Sequence, residues 1–242
     1  MTLHIYQARL LHYLTESDRT ERTTSDHLQT LAVERDITLL PVIEGVQVYP
    51  EYIADGALVV DGVTGCIVEY GRSETILSKY ANEEGRLAVK VHDYRDKLIM
   101  PGFIDTHVHY PQIDMIAAYG EQLLDWLNNY TFVTEANFGD PKVAHDTAQF
   151  FLKQLLANGT TSAMVFSTSH PESVNAFFTE SHKLNTRMIT GNVLMDQNAP
   201  DNLCVPAEQG IRDTQNIIDN WHERGRQHVA ITPRFAITST PK

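Results

Sequence analysis

The sequence is poor in cysteine, poor in positive charge and without a long apolar run. Only Cys66 and Cys204 occur in 242 residues, far apart and outside any CxxC pattern. Usage that sparse argues against a disulfide framework and for a reducing compartment. Lys and Arg total 19 against 31 Asp and Glu, a formal net charge of -12. That balance disfavours nucleic acid and anionic membrane surfaces as partners. No stretch approaches the roughly 18 apolar residues of a membrane helix. The apolar start, residues 1–14, is interrupted by His4, Gln7, Arg9 and His12, so it lacks the continuous core of a signal peptide. A cytoplasmic location and a small uncharged substrate are the expectations. What is present, 42% hydrophobic and 21% charged residues, suits a globular chain that buries a core.

Two textures divide the chain near residue 99. Before it the signals are short strands. Ala57 to Asp61 and Cys66 to Tyr70, joined by Gly62-Val63-Thr64-Gly65, read as a β-hairpin with a glycine-bearing loop. Further strands are expected over 46–49, 87–91 and 97–100. The stretch 15–36 is dense in charge and hydroxyls and reads as an excursion, partly helical over 27–33. After Pro101, strand and helix alternate. Asp140-Pro141 is an N-cap followed by proline, Ala144 to Leu156 recur at helical spacing, and Asn158-Gly159 supplies a stop. Thr160 to Ser167 reads as a strand, and Pro171 opens a helix with Val174, Phe177, Phe178 and Leu184 on one face. Arg187 to Met195 is a strand, Ile211 to Trp221 a helix stopped at Gly225, and His228 to Phe235 a strand. Such alternation implies parallel strands joined by crossover helices. A closed barrel of this type needs eight strands in about 250 residues; four are found, and truncation of a longer gene product is the expectation.

The strongest chemical signal is Met100-Pro101-Gly102-Phe103-Ile104-Asp105-Thr106-His107-Val108-His109. Residues two apart on a strand face the same side, so the imidazoles of His107 and His109 point together. In a barrel the C-terminal strand ends carry the catalytic groups, and paired imidazoles there suit a divalent ion such as zinc. A bare HxH alone is weak evidence and more often two ordinary strand histidines. Within PGFIDTHVH the segment resembles the first-strand signature of the amidohydrolase superfamily. The hairpin before it resembles that family's small β-sandwich. The resemblance implies an α/β fold: a (β/α)8 TIM-type barrel with only its first four strands present in 99–242, and a β-sandwich portion in 1–98. It makes His107 and His109 the first two metal ligands, with Asp105 structural.

Later blocks narrow the resemblance to guanine deaminases within that superfamily. They are His109-Tyr110-Pro111-Gln112, Tyr119-Gly120-Glu121, Leu123-Leu124-Asp125-Trp126-Leu127, Tyr130-Thr131-Phe132, Asn158-Gly159-Thr160-Thr161 and Thr232-Pro233-Arg234-Phe235. By position the resemblance gives His109, Gln112, Arg234 and Phe235 to the purine, Tyr110 and Pro111 to the loop over it, and Trp126 to an apolar wall. An amide that donates and accepts suits guanine's mixed edge, and a guanidinium suits its carbonyl oxygen. Taken singly, Gln112 reads as a loop residue, Arg234 as a surface arginine and Trp126 as core. His145, His170 and His182 read as surface. One departure stands out: after Phe132 such enzymes often carry proline and an acidic-basic pair, whereas here Val133-Thr134-Glu135-Ala136-Asn137 follows.

The resemblance implies hydrolysis of guanine to xanthine and ammonia by a zinc-activated water, in a homodimer when full length. The third histidine, the general-acid glutamate and the aspartate are expected beyond Lys242, so no catalytic acid is assigned here and the chain alone is expected to be inactive. Rival readings are a related amidohydrolase acting on another heterocycle and a non-catalytic half-barrel. The cytidine-deaminase fold is excluded by the lack of a PCxxC motif.

Overall fold

Apolar alternation builds the first sheet. In the computed structural model, which describes residues 2–15, 48–81, 88–120 and 122–241, strand β1 (Thr2–Thr15) buries Leu3 and Ile5, then Ala8 and Leu10. The pairing with β2 (Val48–Asp61) is bulged between Ala8 and Leu10, with the extra residue on β2. Strand β3 (Ile67–Arg72) is antiparallel to β2. After helix α1 (Ser73–Ala81), β4 (Ala88–Ile99) runs parallel to β1, giving the order β3-β2-β1-β4. Ile76 and Tyr80 of α1 close this core over Leu3, Ile5, Ala57 and Val59.

The expected hairpin is present. Asp61 Oδ1 accepts from the amides of Val63 and Thr64 at 2.7 and 3.1 Å, a side-chain turn that sets the loop. The strands expected at 87–91 and 97–100 are one continuous strand, and α1 has no counterpart in the sequence reading. Among the described residues this unit is one sheet with a helix, rather than two facing sheets. The excursion at 15–36, apart from Thr15, lies outside the described residues, as do residues 46, 47 and 87.

The chain divides into two units, 1–101 and 102–242. The second is mixed α/β around a parallel sheet. Strand β5 (Phe103–His109) leads through a 3-10 turn (Tyr110–Met115) to a helical run in which α2 (Leu123–Trp126) and α3 (Phe132–Glu135) flank a π-turn (Leu127–Thr131). Then follow α4 (Pro141–Ala157), β6 (Thr160–Phe166), α5 (Pro171–Lys183), β7 (Arg187–Gly191), β8 (Val193–Leu194), α6 (Ala207–Trp221), β9 (Gln227–Val229) and β10 (Thr232–Pro233). The sheet order is β5-β6-β7-β9, all parallel, and β8 pairs with β10 in parallel.

Caps and stops act where the residues demand them. The Asp140 side chain accepts from Lys142 N at 2.8 Å, meeting one orphan donor of α4. Gly159 leaves that helix at φ +84, a conformation that disfavours any side chain. Strand period then sorts the faces. Ala163, Val165 and Val108 pack toward Phe151, Leu152, Phe177 and Phe178 of the helices, which puts Met164, Phe166, His107 and His109 on the opposite face. Two strands expected to be continuous are broken, at Asn192 and at residues 230–231. Beside the first break the Ala230 carbonyl packs close on Gly191, where an added Cβ would lie 2.0 Å from Ala230 O. Leu184 and Ile211, expected on buried helix faces, are 41% and 66% exposed.

Candidate active site

The site begins at the C-terminal end of β5. His107 and His109 share a face, with ring centroids 5.3 Å apart. Phe166 of the neighbouring strand stacks on His109 at 4.7 Å and approaches His107 at 5.2 Å. Asp105 turns its carboxylate to the His107 backbone amide at 3.0 Å, a local bond that sets the strand end. Burial, then the charge of Arg234 and the proximity of His107, pull the His109 pKa down from 6.5 to about 4. The ring is neutral at neutral pH, the form in which imidazole binds metal.

The 3-10 turn carries the chain back under the strand. Its Gln112 Nε2 lies 3.1 Å from His109 Nδ1 and donates to Glu135 Oε1 at 3.0 Å. On the far side of the carboxylate, Arg234 Nη1 donates to Glu135 Oε2 at 2.5 Å and Nη2 to Oε1 at 3.3 Å. The Arg234 and Glu135 side chains are 8% and 1% exposed. The guanidinium also sits 5.1 Å from the Phe132 ring centre. A fork of this kind is the strong form of carboxylate recognition. It joins residues 99 apart in sequence.

A cleft of about 510 Å³ opens beside the histidines, lined by His107, His109, Gln112, Ile113, Trp126 and Phe151 among others. Trp126 anchors its indole N–H on Ala118 O at 3.1 Å and packs on the buried group of Leu127, Phe132, Val193 and Met195. It is therefore both wall and core. Tyr110 does not lie over the cleft. It is fully buried against Phe138, Phe151 and Phe177, with its hydroxyl donating to Ser173 O at 2.7 Å, and burial pushes its pKa up. Pro111 is buried beside it. Phe235, 37% exposed, lies outside the cleft lining. His170, read as surface, has Nε2 buried without a partner.

The sequence reading missed Glu135, taking 133–137 as an altered loop. The segment is helical, and Leu127, Thr131, Phe132, Glu135 and Phe138 are all buried. That helical period, with an acid standing at an apolar position, was the available signal. For a metal, the donor set is the two imidazoles of His107 and His109. Among the described residues no group of three His, Cys, Asp or Glu gathers to hold an ion, whereas a zinc site takes at least three protein ligands. His107 and His109 therefore fit part of such a site. Among the described residues no helix is long and apolar enough to cross a membrane.

Comparison with known proteins bears on this geometry. The Amidohydrolase family profile matches residues 98–242. The guanine deaminase of Escherichia coli K12 is 54% identical over 154 residues, covering 64% of this chain and 35% of that protein. Its solved structure superposes with a TM-score of 0.77 at 39% identity, over 98% of this chain and 48% of the other. The guanine deaminase of C. acetobutylicum, solved with guanine bound in its active site, gives a TM-score of 0.72 at 26% identity over 98% and 48% of the two chains. The chain thus spans less than half the length of the relatives it matches.

Proposed function

The chain belongs to the amidohydrolase family, and on that premise we propose that it forms the N-terminal portion of a guanine deaminase, converting guanine and water to xanthine and ammonia. The observation that carries this reading is the run from His109 through Gln112 and Glu135 to Arg234. It joins the strand end that carries His107 and His109 to a polar pair whose chemistry suits a purine edge. Similarity to enzymes of that activity, 54% identical in one case, supports the same assignment.

In this reading the parallel sheet is the first half of a (β/α)8 barrel and residues 1–98 contribute to a β-sandwich. His107 and His109 donate two imidazoles to a zinc ion. Gln112 and Arg234 hold the purine, Phe235 packs on its ring, and Trp126 walls the cleft. The metal, when bound, supplies Lewis acidity toward water. Its remaining ligands and the acid that protonates the ring come from outside these residues, in a polypeptide that assembles as a homodimer.

The test compares the 242-residue chain alone with the same chain joined to the part of the E. coli relative that follows the matched stretch. Both are incubated with zinc and guanine. Ammonia and xanthine are expected from the joined protein and not from the chain alone. A joined protein that melts cooperatively and holds zinc yet leaves guanine untouched would overturn the assignment and favour a related heterocycle as substrate.

A further inference from the structure

Glu135 is fully buried and is the hub of the polar run. Its Oε1 accepts from Gln112 Nε2 and Arg234 Nη2, and its Oε2 from Arg234 Nη1. Both carboxylate oxygens are engaged as acceptors by the Arg234 fork. Glu135 can therefore face the nitrogen of the Gln112 amide and never the oxygen. One hydrogen of that NH2 goes to Glu135, and the nitrogen lies 3.1 Å from His109 Nδ1, so the NH2 is turned inward. Oε1 is the function left for a ligand, and it is an acceptor. Arg234, with two of its five N–H groups given to Glu135, keeps three donors.

We propose that Glu135 is the positioning residue of the purine site, turning the Gln112 amide to present its oxygen and holding the Arg234 guanidinium to present N–H groups. The pair then selects a planar heterocycle that offers a ring N–H next to a carbonyl. This rests on the assignment of a guanine site. Glu135 itself does not touch the ligand, and its removal acts through the two residues it orients.

The experiment uses the joined protein with E135Q and E135D, and three ligands: guanine as substrate, and hypoxanthine and unsubstituted purine as ligands followed by calorimetry without turnover. Hypoxanthine offers the same N–H and carbonyl edge as guanine; purine offers neither. With glutamine at 135 the constraint on the Gln112 amide is gone. The guanine KM and the hypoxanthine Kd are expected to rise about tenfold, on the scale of one lost charge-assisted hydrogen bond. The kcat stays within about threefold and the purine Kd is unchanged. E135D, which keeps the charge, recovers part of the loss. Equal weakening of all three ligands, or none, overturns the proposal. Hypoxanthine binding that responds to E135Q in a protein inactive on guanine would sink the activity assignment and leave the positioning role standing.

Discussion

At the scale of single residues, the site depends on one buried charge pair. Arg234 and Glu135 are 8% and 1% exposed, so each would be an uncompensated buried charge without the other. Breaking such a pair costs about 3–5 kcal/mol, most of it the desolvation of the stranded group. Arg234→Gln is therefore expected to lower both stability and guanine affinity. The double variant R234Q/E135Q separates the two effects: the melting temperature returns toward the parent, because no charge is stranded, while the guanine KM stays at least about tenfold raised. Recovery of both together would mean that Arg234 serves the fold alone. Gln112 and Arg234 could be named from sequence because they stand in segments that resemble a known family. For Glu135 the helical period signals a buried position, but the partner that explains it stands 99 residues away.

At the scale of elements, a second buried acid ties two helices. Glu180 of α5 accepts from Lys183 Nζ at 2.5 Å and lies 2.6 Å from His145 Nε2 of α4. Burial alone would raise its pKa and is the largest single influence. The hydrogen bonds from Lys183 and Gln149 and the charge of His145 together outweigh it, and the net shift is downward from 4.5. A carboxylate held below its unfolded value stabilises the fold above that value and loses the contribution as pH falls through the folded pKa. E180Q is accordingly expected to melt below the parent at pH 7, with the gap closing below pH 4.5. A gap that persists or widens in acid would mean that the carboxylate's charge plays no part. Helices α4, α5 and α6 were legible by their 3.6-residue period and the Asp140 cap, whereas α1 to α3 were not. The breaks in the later strands were not, and the close approach of Ala230 O to Gly191 depends on a neighbour about 40 residues away.

At the scale of the molecule, the described residues offer a metal two imidazoles and no third ligand. Among the described residues β5 and β9 are the sheet's outer strands, and Ile104 of β5 and Ile231, just past β9, are 71% and 70% exposed. Titration with zinc is expected to give at least tenfold weaker binding to the chain alone than to the joined protein, about the loss that follows from an incomplete shell. H109A should abolish the tight phase in the joined form. Equal affinity in the two forms would mean that a full ligand set already exists within these residues.

The sequence by itself determined what is local. Strand period put His107 and His109 on one face, helical period and caps placed α4, α5 and α6, and a side-chain turn at Asp61 set the hairpin, because each depends on neighbours within one element. Only tertiary structure decided which polar groups meet. Tyr110, two residues from Gln112, is drawn into the core because its ring finds three phenylalanines there. Glu135 can be buried because Arg234 arrives from the far end of the chain to neutralise it. A buried charge is tolerable only with its counterion in place, and that partner is chosen by packing, which no window of sequence contains.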